Sequence, residues 1–154
     1  MNKKGFTLIE LIIVIAIIAI LASIAFVAVN PAKRIGEAND DQRWADLTSI
    51  AEAWQKYTAD NPGSTALTSL ATVDTVYEIS GTWTDDDCTA TTTTTSIDLS
   101  TLVSSGYLGS VPEDPLEGGL NGASDYWFTR SGNSITVGAC EKYSGANSYP
   151  TVTR

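Results

Sequence analysis

Leu11 to Val29 contains no charged residue, and this run constrains the chain more than any other feature. Isoleucine, leucine, valine and alanine fill every position except Ser23 and Phe26. A helix of roughly 19 residues rises about 28 Å, close to the hydrocarbon thickness of a bilayer. The run is oily all round, so it reads as a segment that inserts in a membrane. Lys3 and Lys4 precede it and are expected to stay on the cytoplasmic side, which puts the rest of the chain outside.

Glu10 does not fit an ordinary anchor. A carboxylate near the start of a spanning helix costs up to roughly 3 kcal/mol, less close to the interface, and is kept where it finds a partner. If the bond after Gly5 is cut, Phe6 gains a free α-amine one helical turn before Glu10. That amine, or the same amine on a neighbouring subunit, would neutralise the carboxylate within the apolar layer.

Beyond the run, the 154 residues leave room for one modest domain. Eighteen acidic residues against nine basic give a formal charge of −9. This balance lacks the basic patch a nucleic-acid-binding domain needs and suits solubility outside the cell. The chain has no histidine, which removes the commonest general base and metal ligand. Its two cysteines, Cys88 and Cys140, lie beyond the apolar segment, where an exported, oxidising setting favours one disulfide over two buried thiols. Closing that loop would stabilise the fold by roughly 4 kcal/mol on the chain-entropy model.

The first thirty residues resemble the N-terminal signature of type IV prepilins and pseudopilins. The matching elements are the short basic leader, Gly5 before Phe6, Thr7-Leu8-Ile9-Glu10, and a continuous apolar helix carrying Ile20-Leu21-Ala22-Ser23. The resemblance implies that a membrane-embedded prepilin peptidase cuts after Gly5 and N-methylates Phe6. It also implies that Glu10 pairs with the Phe6 amine of a neighbour during filament assembly. The family often carries proline where this chain has Val27, and here the proline comes at Pro31. A kink is therefore expected around Val27 to Pro31, because proline removes a hydrogen bond and clashes with the carbonyl four residues back. Two other readings of the segment compete. A secretory signal peptide would use Ser23-Ile24-Ala25 as its cleavage site, but Glu10 interrupts its apolar region and the run continues past that site. The second is a plain uncleaved anchor.

After Pro31 an amphipathic helix is expected, with Ile35, Trp44, Leu47, Ile50, Ala51, Trp54 and Tyr57 on the core side. Glu37, Asp40, Asp41, Arg43, Asp46 and Lys56 take the positions between. Trp44 and Trp54 at this spacing read as core rather than as a ligand platform. Asp60-Asn61-Pro62-Gly63 is a stop signal. A helix from Phe6 to Ala59 would be about 80 Å long.

From Ser64 onward the chain turns to threonine, serine and glycine. Thr75 to Ile79 alternates as a strand, and Thr91 to Thr95 reads as an exposed, O-glycosylatable loop after Asp85-Asp86-Asp87-Cys88. Asp98 reads as the N-cap of a short helix through Leu99, Leu102 and Val103, closed by Gly106. Tyr126 to Thr129 and Ser134 to Val137 form a hairpin across Arg130-Ser131-Gly132-Asn133. The fold class is therefore α+β and pilin-like. A long bent N-terminal helix, transmembrane in its first half and amphipathic in its second, packs on a small antiparallel sheet. Residues 1–5 are the leader, 6–30 the apolar helix, 31–60 its amphipathic half and 61–154 the C-terminal globular region.

The stretch from Gly106-Tyr107-Leu108 to Pro112-Glu113-Asp114-Pro115 is similar to the C-terminal region of major type II secretion pseudopilins, where calcium can order a loop. Glu113, Asp114, Glu117 and Asp125 would supply the oxygens, but their spacing matches no ligand template and acidic loops are usually solvated. No cofactor is assigned. Gly118-Gly119-Leu120-Asn121-Gly122 is a turn rather than a phosphate motif, and no catalytic constellation stands out.

The reading favoured for the chain is a structural subunit of a surface filament serving adhesion, motility or DNA uptake. A secretion pseudopilin is the nearer alternative; a membrane-anchored binding domain or enzyme is the alternative of another class. The partners the resemblance implies are copies of the chain, the prepilin peptidase, a platform protein with its ATPase, and minor pilins. The precursor would sit in the cytoplasmic membrane and the mature subunit in an extracellular filament.

Overall fold

The computed structural model describes residues 5–63, 74–79, 96–116, 124–132 and 134–154. The expectations for Met1 to Lys4, Asp85 to Cys88, Thr91 to Thr95, Glu117 and Gly118 to Gly122 lie outside these. The chain forms two compact units, Met1–Ile35 and Gly36–Arg154.

The first unit is dominated by helix α1, Leu8–Val29, none of whose residues is buried. Its large apolar side chains, from Leu8 to Val29, are exposed among the described residues, and a surface this apolar needs lipid or another chain. The helix ends at Asn30, which adopts the left-handed conformation with φ 44° and ψ 73°. Pro31 then opens helix α2, Pro31–Asp60. At a first helical position the missing N–H of proline costs nothing and its fixed φ helps. The expected kink is thus a true interruption, carried by the residue before the proline.

In the second unit α2 buries Arg43, Leu47, Ile50, Ala51, Ala53, Trp54 and Tyr57. The expected stripe holds from Leu47 to Tyr57. Two of its members do not: Trp44 is 44% exposed and Ile35 61% exposed. The core position one residue before Trp44 belongs to Arg43, which was expected among the solvent-facing charges. The C-terminal end of α2 is closed by Asn61, whose backbone and side-chain nitrogens both donate to the Tyr57 carbonyl at 2.9 Å. Gly63 follows at φ 87°.

The buried face of α2 lies on a five-stranded sheet in the order β2-β1-β3-β4-β5. The strands are β1 Val76–Ile79, β2 Ser96–Ile97, β3 Tyr126–Ser131, β4 Ser134–Ala139 and β5 Thr151–Thr153. The sheet is antiparallel except for β1 and β2, which pair in parallel, so it is mixed. Strands β2 and β5 at the edges were not foreseen. Both are very short, and short edges leave few backbone groups open to foreign strands.

Alternation along the strands assigns the core face. Tyr77, Phe128, Val137 and Val152 are register partners in one row across the sheet, and all four are buried. Trp54 of α2 packs its ring 4.7 Å from that of Phe128. On the opposite face Trp127 is paired with Gly138. A Cβ at Gly138 would overlap the Trp127 ring, so the small residue makes room for the indole.

Helix α3, Ser100–Ser104, joins the core through Leu102. Asp98 acts one position earlier than a conventional N-cap: its Oδ1 accepts from Ser100 N at 2.7 Å and its Oδ2 from Ser100 Oγ at 2.9 Å. The helix closes as expected at Gly106, with φ 78°. The Gly106 N–H donates to the Val103 carbonyl and the Tyr107 N–H to that of Leu102, the paired bonds of a Schellman turn.

Candidate functional site at the N-terminal motif

Gly5 is exposed, with open space where a Cβ would be, and Phe6 is 90% exposed. Among the described residues, nothing crowds this bond. Thr7 is the N-cap of α1, and with Glu10 it makes a reciprocal capping box. The Glu10 backbone N–H donates to Thr7 Oγ1 at 3.3 Å. In return Glu10 Oε2 accepts from Thr7 N at 2.8 Å and from Thr7 Oγ1 at 2.7 Å. This capping was not foreseen, although the Thr-x-x-Glu spacing is the signal that could have found it. The partner of Glu10 is thus Thr7, and the Phe6 nitrogen is an ordinary amide. The same box holds the carboxylate at the start of the helix, near the Phe6 nitrogen. Farther along, Ser23 Oγ donates to the Ile20 carbonyl at 2.7 Å, so its polar group is satisfied within the apolar helix.

A second polar constellation, in the folded body, was missed by sequence reasoning. The Arg43 guanidinium reaches across to Asp114 through two hydrogen bonds, from Nε to Oδ2 at 2.5 Å and from Nη2 to Oδ1 at 2.9 Å. Both side chains are fully buried, at 1% and 0% exposure. Arg43 Nη1 also donates to Asp40 Oδ1 at 2.8 Å, and Asp40 in turn accepts from the Tyr143 N–H. Burial works against the charge on Arg43, but its bonds to Asp114 and Asp40 outweigh that and hold the guanidinium more basic than usual. One turn on, the Tyr126 hydroxyl donates to Asp46 Oδ2 at 3.0 Å. Burial raises the Asp46 carboxyl above its ordinary range despite that bond. The only signal in the sequence was an arginine one helical turn before Leu47 and two before Ile50, which does not point to a partner 71 residues away.

Of the residues considered for calcium, Asp114 is occupied by Arg43 and by the Leu116 N–H at 2.9 Å. Asp125 has φ 56° at the start of β3 and lies near Glu78, which is 3% exposed. Burial, and then the Asp125 charge, raise the Glu78 carboxyl. No group of three or more histidine, cysteine or acidic side chains suited to a metal ion occurs among the described residues. Cys140 is buried at the end of β4 and is not a free thiol. Cys88 lies outside the described residues.

Residues 1–26 match the family described as the prokaryotic N-terminal methylation motif. No curated protein and no solved structure matches the chain. The match spans the Gly5–Phe6 bond, the capping box and most of α1. It points to a structural subunit rather than an enzyme. The motif, one helix long and apolar enough to cross a membrane, and the α+β arrangement are consistent with the type IV pilin and pseudopilin family.

Proposed function

We propose that the chain is the precursor of a pilin, a structural subunit that a prepilin peptidase matures and that then polymerises into a surface filament. The observation carrying this reading is the methylation motif over residues 1–26, with Glu10 as the acid within its apolar helix. In this reading cleavage after Gly5 frees the Phe6 amine, which is N-methylated. Glu10 exchanges its capping bonds with Thr7 for an ion pair with the amine of a neighbouring subunit. The exposed α1 helices pack together as the filament core, driven by van der Waals contact as the helix leaves lipid. Cys88 and Cys140 form the disulfide that ties the segment before β2 to the end of β4. The platform protein, its ATPase and minor pilins are the assembly partners, and adhesion, motility or DNA uptake is the filament's work.

Two substitutions test the reading in the native host. Gly5→Ala is expected to leave the leader attached and the chain in the membrane. Glu10→Val is expected to permit cleavage and to abolish filaments. Normal assembly by Gly5→Ala would contradict the processing step, and normal filaments from Glu10→Val would contradict the pairing.

A further inference from the structure

We propose that Lys33 and Arg34 bind the phosphates of anionic phospholipid headgroups and, together with the break at Asn30, fix the depth of α1 in the bilayer. This rests on the reading of the chain as a membrane-held precursor.

Three observations within the first unit converge. The helical hydrogen-bond ladder lapses at Asn30. Pro31 has no N–H to offer the Val27 carbonyl, and the Lys33 N–H is directed to Asn30 Oδ1 at 3.4 Å. Backbone groups freed in this way cost several kcal/mol each in hydrocarbon and are accepted where water reaches them, so the break belongs at the membrane surface. Immediately beyond it stand Lys33 and Arg34, both exposed and a little over one turn past Val29, the last residue of the apolar helix. Long cationic side chains at the end of a span lay their methylene stems along apolar surface and carry the charge to headgroup level. Finally, the 22 residues of α1 rise about 33 Å, close to the hydrocarbon thickness. With Asn30 at one surface, the Thr7–Glu10 box and the Gly5–Phe6 bond lie at the other, where a membrane-embedded peptidase meets its substrate.

Both cations already interact within the protein, and Glu37 follows one turn later. Phosphate therefore competes with an acid, and the lipid preference is expected to be roughly tenfold rather than absolute.

The test is native mass spectrometry of the full chain in nanodiscs of equal phosphatidylglycerol and phosphatidylcholine. All forms carry Lys3→Gln/Lys4→Gln, so that the N-terminal lysines do not contribute. The form with Lys33 and Arg34 intact is expected to retain phosphatidylglycerol in preference. Lys33→Gln/Arg34→Gln is expected to lose that preference, and Lys33→Arg/Arg34→Lys to keep it. A glutamine pair that retains the full preference, or an intact pair that shows none, overturns the proposal. A chain that does not enter nanodiscs at all overturns the membrane-held reading itself.

Discussion

Arg43 is a charged residue on the buried face of α2, and what makes that tolerable is the fit of its fork to Asp114 and Asp40. Removing one member of a buried pair strands the other without water. Arg43→Leu is expected to lower the unfolding free energy by about 3–5 kcal/mol in denaturant titrations. Arg43→Leu with Asp114→Leu should lose much less than the two single changes together, because no uncompensated charge remains. Glu78 is a different case: it is buried near Asp125, and its carboxyl is raised. A raised folded-state value means that the native chain binds the proton more tightly than the unfolded one. The resulting stabilisation is fully present below the ordinary value of 4.5 and is lost as pH rises through the folded value. Glu78→Gln is therefore expected to raise the denaturation midpoint at neutral pH and flatten its fall above pH 4.5, measured as midpoint against pH. A variant with an unchanged profile would show that Glu78 is not the group responsible.

Among the elements, those set by local chemistry were legible in the sequence. The uncharged run gave α1, the Asp60 to Gly63 stop gave the end of α2, and alternation gave β1, β3 and β4 to within two residues. Asp98 and Gly106 marked α3 because their preferences act over two to four residues of chain. What escaped was set by partners distant in sequence. Burial of Arg43 depends on Asp114, and parallel pairing of β2 depends on β1, from which it is separated by a long connection. A two-residue strand carries too little alternation to be read at all. Trp44 fell on the wrong side because a helical stripe has width, and the sequence does not say where the sheet beneath it ends. At the motif, Gly5, Phe6 and Glu10 were legible as a pattern, whereas the bonds between Glu10 and Thr7 required the fold. The β3–β4 hairpin offers a test at this scale. Gly138→Val places a branched side chain against the Trp127 ring and is expected to cost about 1–3 kcal/mol by overpacking. Gly138→Val with Trp127→Ala should recover part of that loss, since the clash is removed.

For the whole molecule, a folded body with its own core coexists with a helix that buries nothing. Such a helix is stable only where something apolar surrounds it, first lipid and then, in the proposed filament, its own copies. In the proposed function, passage between those two states follows cutting before Phe6. Intact-mass spectrometry of the protein sheared from the surface of its native cells measures this directly. A chain beginning at N-methylated Phe6, with the mass of one disulfide between Cys88 and Cys140, is the predicted result. A chain beginning at Met1, or one that has lost the apolar segment near Phe26, would contradict it.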